Sequence, residues 1–258
     1  MGFNGIGGYT NEPGMIPWEL VVLYFAVALG IVFVIGKRSG GLKRFTTIDL
    51  VYIAIGGAIA VVWEFYIGNY IGRAIPSTPF VDVSFWGRVF ILFIVAALVR
   101  KPGVGMSVMF VFNLLSDQFS YGYGGEPMFF VYEMLTYGLI IDIMISLTGG
   151  NLFGVKGPWK GPNWISSPTA TVVTQETKEQ VTKAMLSPTA LAVIEGAILG
   201  FFMAFPDPLF YSGFFNPFLY AATVNWGKIL FSIAAFIPGD IIVGILAGLA
   251  ALRVSKAV

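Results

Sequence analysis

Seven apolar stretches separated by short polar gaps organise the chain, running roughly over 17–36, 47–70, 84–99, 103–119, 128–148, 188–205 and 226–252. Most lie near the ~20 residues that a helix needs to cross the hydrocarbon of a bilayer. The pattern predicts an all-α fold, a polytopic membrane bundle of seven transmembrane helices. Twelve of the fifteen Lys and Arg residues fall in alternate gaps. Lys37, Arg38, Lys43, Arg44, Arg100, Lys101, Lys156, Lys160, Lys178, Lys183, Arg253 and Lys256 share one side, while Arg73, Arg88 and Lys228 fall on the other. The positive-inside rule then puts the N-terminus outside and the C-terminus in the cytoplasm of a multi-pass cell-membrane protein. That arrangement needs an odd number of crossings, and seven is odd.

The gaps divide the chain further. Residues 1–45 comprise an outer lead, one additional helix and the basic, glycine-rich linker Gly36-Lys37-Arg38-Ser39-Gly40-Gly41-Leu42-Lys43-Arg44; residues 46–258 form a six-helix core. The linker suits a flexible cytoplasmic hinge. A second break spans about 149–187, where Lys156-Gly157-Pro158-Trp159-Lys160-Gly161-Pro162 cannot continue a helix and a Thr/Gln/Glu/Lys run follows. It reads as a long cytoplasmic loop. Outside, Pro206 to Trp226 is poor in charge and rich in Phe, Tyr and Pro, the composition of a segment lying in the membrane interface. Met1 to Pro17 lacks a basic n-region and reads as a polar lead, not a cleaved signal.

Composition closes off several chemistries. With 57% hydrophobic and 11% charged residues, the chain has too little polar cover for a soluble domain. It contains neither His nor Cys, which removes the usual ligands of haem, iron–sulfur clusters, zinc and copper, together with thiol and His-activated nucleophiles. No metal, cofactor or catalytic centre is therefore expected. A net charge of +1 provides no field for nucleic acid.

The acids inside the apolar stretches carry most of the chemistry, because each costs at least ~2.5–3.5 kcal/mol at a helix centre unless it faces protein or water. Glu64 lies near the outer end of the second helix, beside Trp63 and one turn from Tyr66 and Asn69. Glu133 lies inside the outer end of the fifth, with Tyr137 four residues on along the same face. The fourth contributes Asn113 and Asp117, then Tyr121 and Tyr123 where it exits. These outer ends together suit a small cationic or aminated-ring solute held by carboxylates and aromatic stacking. Tyr121, Tyr123 and Trp226 taken singly also fit ordinary interfacial anchors. Asp142 and Glu195 sit deeper and fit either a structural hydrogen-bonding role or a proton or ligand site. Asp240, after Pro238-Gly239, fits a group that satisfies backbone freed by a break in the last helix.

Small residues recur at helix-contact spacing in Ala54/Ala58, Gly196/Gly200 and Gly244/Gly248. The glycine pairs suit internal packing, and Ala54/Ala58 suits either packing or docking of another subunit.

From Thr46 onward the chain resembles the substrate-binding S component of energy-coupling-factor (ECF) transporters, in particular the hydroxymethylpyrimidine/thiamine group. The resemblance rests on Ala54-Ile55-Gly56-Gly57-Ala58, on Ala96-Ala97-Leu98-Val99-Arg100-Lys101-Pro102-Gly103, on Tyr137-Gly138-Leu139-Ile140-Ile141-Asp142 and on Pro238-Gly239-Asp240. It implies a non-enzymatic membrane subunit that binds a vitamin or precursor near the outer face. Such a subunit works with a transmembrane coupling subunit, contacted here through Ala54 and Ala58, and with cytoplasmic ATPases. The chain itself has no Gly-rich phosphate loop followed by Lys-Ser or Lys-Thr. The additional first helix and the 149–187 loop stand outside the six-helix pattern. A non-catalytic scaffold subunit of a membrane enzyme and a proton-coupled carrier using Asp142 and Glu195 are the competing readings.

Overall fold

The computed structural model describes Gly8 and residues 11–75, 80–121, 127–157 and 187–255. They form seven helical segments: α1 (Trp18–Ser39), α2 (Thr47–Gly72), α3 (Val83–Val99), α4 (Val104–Phe119), α5 (Met128–Leu147), α6 (Pro188–Met203) and α7 (Trp226–Val254). Between α6 and α7 the chain makes a helical return, Asp207–Phe215 and Asn216–Tyr220. Five candidate spans are long and apolar enough to cross a membrane, whereas α3 and α4 are shorter apolar helices, which suggests a multi-pass membrane protein. Tyr123 and most of the 149–187 loop lie outside the described residues, as does the side chain of Tyr121.

Local chemistry sets the helix ends. Gly40, at φ 81°, closes α1 and accepts the left-handed backbone that a side chain would strain. The linker then continues as one 3₁₀ turn, Gly41–Arg44. Thr46 starts α2 with a capping box: its hydroxyl accepts from the Asp49 amide at 3.4 Å, and the Asp49 carboxylate accepts from the Thr46 amide at 2.6 Å. Asp49 also pairs with Lys101 across the bundle. Between α3 and α4, Arg100 (φ 51°) and Gly103 (φ 102°) reverse the chain, and the Val104 amide donates to Lys101 O at 3.2 Å.

The glycines decide how closely helices cross. A Cβ on Gly196 would come within 2.3 Å of Gly244 O, and one on Gly200 within 2.2 Å of Asp240 O, so α6 and α7 meet backbone to backbone. On α2 the close contacts belong to Gly56 against Val95 and Gly57 against Val111. Ala54 is exposed and Ala58 half-buried, beside exposed Ile55 and Ile59. α4 and α5 cross where a Cβ on Gly105 would meet Gly138 O at 2.3 Å. One turn after Gly138, Asp142 accepts from the Gly105 and Met106 amides at 2.9 and 3.0 Å, joining the start of α4 to α5.

The main apolar core is built from α2 to α7 and takes no buried residue from α1. α1 packs instead in two smaller clusters, through Val21 with Tyr132, Phe214, Phe215 and Leu219, and through Ala28 with Leu135 and Leu139. Two segments outside the long helices are more folded into the molecule than their composition alone showed. The segment after Pro206 is a folded return whose Phe214, Phe215 and Leu219 are buried, because its aromatic side chains meet the N-terminal lead and α5. The start of the long loop also enters the bundle: Leu152 and Phe153 are fully buried, and Glu195 accepts from the Phe153 amide.

Candidate functional site

A cavity of about 320 Å³ lies where α2, α4, α5 and the return meet at the end of the bundle away from the Asp49–Lys101 pair. Carboxylates line it from four segments: Glu64 on α2, Asp117 on α4, Glu133 on α5 and Asp207 on the return. Among the described lining residues Arg88 of α3 is the single cation, and Phe65, Phe112, Phe129, Phe130, Tyr132, Tyr211 and Tyr220 supply aromatic faces.

Arg88 organises the site. Its Nε lies 3.0 Å from Glu64 Oε2 and its Nη1 3.2 Å from Glu133 Oε1, joining two acids from different helices. The guanidinium carbon stands 5.0 Å from the centroid of Phe85, 4.9 Å from Phe112 and 5.2 Å from Tyr137. A planar, weakly hydrated cation tolerates such an aromatic enclosure where an ammonium would lose more hydration. With its side chain 6% exposed, Arg88 offsets Glu64 and Glu133 and leaves the cavity richer in carboxylate than in cation.

Asp207 accepts from Tyr132 OH at 3.2 Å and keeps accessible surface. It also lines a second, water-sized cavity of about 20 Å³ with Asp82, Phe85, Tyr137, Met203, Ala204, Phe236 and Asp240. Asp240 Oδ1 there accepts from Trp86 Nε1 at 2.9 Å, while its buried Oδ2 has no hydrogen-bond partner. Asp240 thus holds a tryptophan of α3, and α7 runs unbroken through Pro238. This differs from the expected role at a helix break, because the carboxylate points across the helix interface.

The backbone around the main cavity is irregular in a consistent way. π-helical turns occupy Trp63–Gly68, Asp117–Tyr121, Met134–Gly138 and Asp207–Phe215. Glu64, Asp117 and Asp207 fall in the opening residues of three of them, and Glu133 immediately precedes the fourth. An inserted residue in a helical turn redirects the side chains beside it, and such turns concentrate at functional sites. Here each re-aims an acid toward one space.

Of the residues expected to form the site, Glu64, Asn113, Asp117 and Glu133 line this cavity. Trp63 does not: its indole N–H donates to Val83 O at 3.0 Å, and its ring fills the space beside Gly87. Asn69 is also turned away, donating to Phe65 O at 3.2 Å and accepting from Ser84 at 3.3 Å. Tyr137 is buried against Arg88, behind the cavity. Asp142 and Glu195 make the backbone contacts described above and line neither cavity. Trp226 donates to Gly14 O at 2.7 Å, a tie to the N-terminal lead.

Sequence reasoning missed Arg88, Tyr132, Asp207, Tyr211 and Tyr220. Arg88 carried a readable signal, since an arginine one turn inside an apolar helix needs a buried partner. Tyr132 adjoins Glu133 on α5, whereas Asp207, Tyr211 and Tyr220 carried no signal, because only folding of the return brings them to the acids. No family model, curated protein or solved structure matches the chain. Among the described residues, no group of three or more acids is arranged to hold a metal ion.

Proposed function

We propose that this protein is a substrate-binding membrane subunit for a small cationic or aminated-ring solute, an S component of an ECF-type vitamin transporter. The observation that carries this reading is the cavity, where Glu64, Asp117, Glu133 and Asp207 outnumber Arg88 among aromatic faces. Its volume of about 320 Å³ falls in the range of small-molecule sites. Carboxylates accept hydrogen bonds from ring amines, and the aromatic faces suit a flat or cationic ring. A bundle filled throughout would have favoured the scaffold reading.

In this reading the cavity end faces outward and the end rich in Lys and Arg faces the cytoplasm, following the charge asymmetry of the gaps. The exposed Ala54 and half-buried Ala58 on α2 lie on the surface that docks the coupling subunit. Small residues there leave room for the close approach of a neighbouring helix. ATP hydrolysis belongs to separate subunits.

Titration calorimetry of the purified chain with thiamine, hydroxymethylpyrimidine, riboflavin and biotin tests the binding role. Thiamine or hydroxymethylpyrimidine is expected to give heat and to raise the unfolding temperature, since a ligand of the folded state stabilises it by mass action. Absence of both signals across the panel would remove the vitamin reading.

A further inference from the structure

α1 stands outside the main core and keeps one long face uncovered. Val27, Gly30, Phe33, Val34, Lys37 and Arg38 repeat at three- and four-residue spacing, which puts them on that face, and all are exposed. Phe33 is 70% exposed, and a Cβ on Gly30 would meet nothing within 4 Å, so the apolar part of the face is open beside a bulky ring. Lys37 and Arg38 close the last turn of the helix. The linker that follows is a tight turn. Gly40 ends α1, the Gly41 amide donates to Ser39 Oγ at 3.4 Å, and Lys43 and Arg44 complete the 3₁₀ turn. Arg44 folds back over it, since a Cβ on Gly40 would lie 2.7 Å from Arg44 Nε. Four exposed cations are thereby gathered around one helix end, and none of the ion pairs among the described residues uses them. Leu42, 70% exposed, sits among them.

We propose that this face of α1 binds an anionic phospholipid, with the phosphate-bearing headgroup on Lys37, Arg38, Lys43 and Arg44 and an acyl chain lying along Phe33 and Gly30 toward Val27. Depth and continuity select a lipid over a soluble acidic partner. The 22 residues of α1 span about 33 Å, close to the thickness of the hydrocarbon, so the cations that end the helix stand at headgroup level. The apolar face runs into them without a polar break, as a molecule with an anionic head and a hydrocarbon tail requires. Basic residues clustered at the end of a membrane-spanning helix attract anionic headgroups, and arginine adds a planar fork that matches phosphate geometry. An apolar side chain among those cations, Leu42, suits the boundary between headgroup and tail. The site lies at the basic end of the bundle, away from the solute cavity, and gives the additional helix a role that does not depend on a solute.

The absence of cysteine allows a site-specific reporter. Val27→Cys in the full chain is labelled with bimane; position 27 lies about 15 Å along the helix from Lys37, near the depth of mid-chain acyl carbons. The labelled protein is reconstituted in phosphatidylcholine, and quenching by brominated phosphatidylglycerol is compared with quenching by brominated phosphatidylcholine at equal mole fraction. Phosphatidylglycerol is expected to associate more strongly, by on the order of tenfold. Lys37→Gln combined with Arg38→Gln, Lys43→Gln and Arg44→Gln is expected to abolish that preference, whereas Arg73→Gln with Lys228→Gln, in gaps of the opposite side, keeps it. Equal quenching by the two lipids in the parent overturns the site. So does a preference that survives the quadruple variant, or one that the opposite-side pair also abolishes. If the quadruple variant does not fold, salt decides on the parent itself: the preference weakens as ionic strength rises, and a preference indifferent to salt overturns the headgroup contact. Inorganic phosphate and a soluble acidic peptide are added in separate arms at constant ionic strength. Retention of the preference in both supports the lipid, and its loss to either overturns the lipid in favour of a soluble anion.

Discussion

The two ends of the bundle treat buried acids in opposite ways. At the basic end, Asp142 accepts from two backbone amides, Glu195 from one, and Asp49 caps α2 while pairing with Lys101. Each of those carboxylates has a fixed partner in the fold, and α4 meets α5 and α6 meets α7 closely at glycines. At the other end four acids face a hollow, and Arg88 is shared between two of them. An acid whose acceptors are filled by fixed backbone donors contributes to the fold. An acid that shares its counter-charge and borders a cavity has capacity left for a diffusible partner.

The sharpest way to break this contrast is to remove the shared cation. Arg88→Met leaves Glu64 and Glu133 without their partner, and breaking a buried pair from one side costs about 3–5 kcal/mol. A large drop in unfolding temperature in detergent is expected, with partial recovery when Glu64→Gln and Glu133→Gln are added. At the opposite end, Asp142→Ala strands the amides of Gly105 and Met106, at about 1–3 kcal/mol for each unsatisfied group. Its unfolding temperature should fall while solute affinity in the surviving folded fraction stays unchanged. Reduced affinity in that fraction would mean that the two ends are coupled.

Smaller effects on folding mark the site itself. Glu133→Gln or Glu64→Gln nearly keeps shape and removes charge, so each should weaken solute binding by about 1.5–3 kcal/mol in calorimetry while leaving the unfolding temperature close to that of the parent. Aggregation with normal binding in the remainder would instead class that acid with Asp142. The smallest folding effect is expected on the α2 surface. Ala54→Leu or Ala58→Leu should change stability by no more than about 0.5 kcal/mol and leave solute affinity intact, yet abolish co-purification with the coupling subunit. Full assembly of both variants would remove α2 as the docking face.

Much of the architecture was legible because apolar length and turn chemistry act locally. The stretch read as 188–205 is the helix Pro188–Met203, starting at the Ser187 cap with proline in its first position, and the Arg100-to-Gly103 reversal is a tight turn that uses Gly103 at φ 102°. Site membership was less legible, for geometric reasons. Trp63 and Asn69 neighbour Glu64 in sequence, but the π-helical turn from Trp63 to Gly68 alters the angular step between side chains. Sequence proximity therefore did not become a shared face. The return was read as interfacial from its aromatic composition, and the same composition serves equally well to pack against α1 and α5.

By itself the sequence determined the seven apolar segments, the lopsided distribution of Lys and Arg between gaps, and the absence of His and Cys. Each of these follows from which residues are present and how far apart they lie along the chain. Only the tertiary structure decided that Glu64 and Glu133 share Arg88, that Asp207 reaches the same cavity from the return, and that Asp142 and Glu195 are filled by backbone amides. Electrostatic pairing and hydrogen bonding depend on distances of a few ångströms between groups on different helices, and those distances exist only once the helices cross.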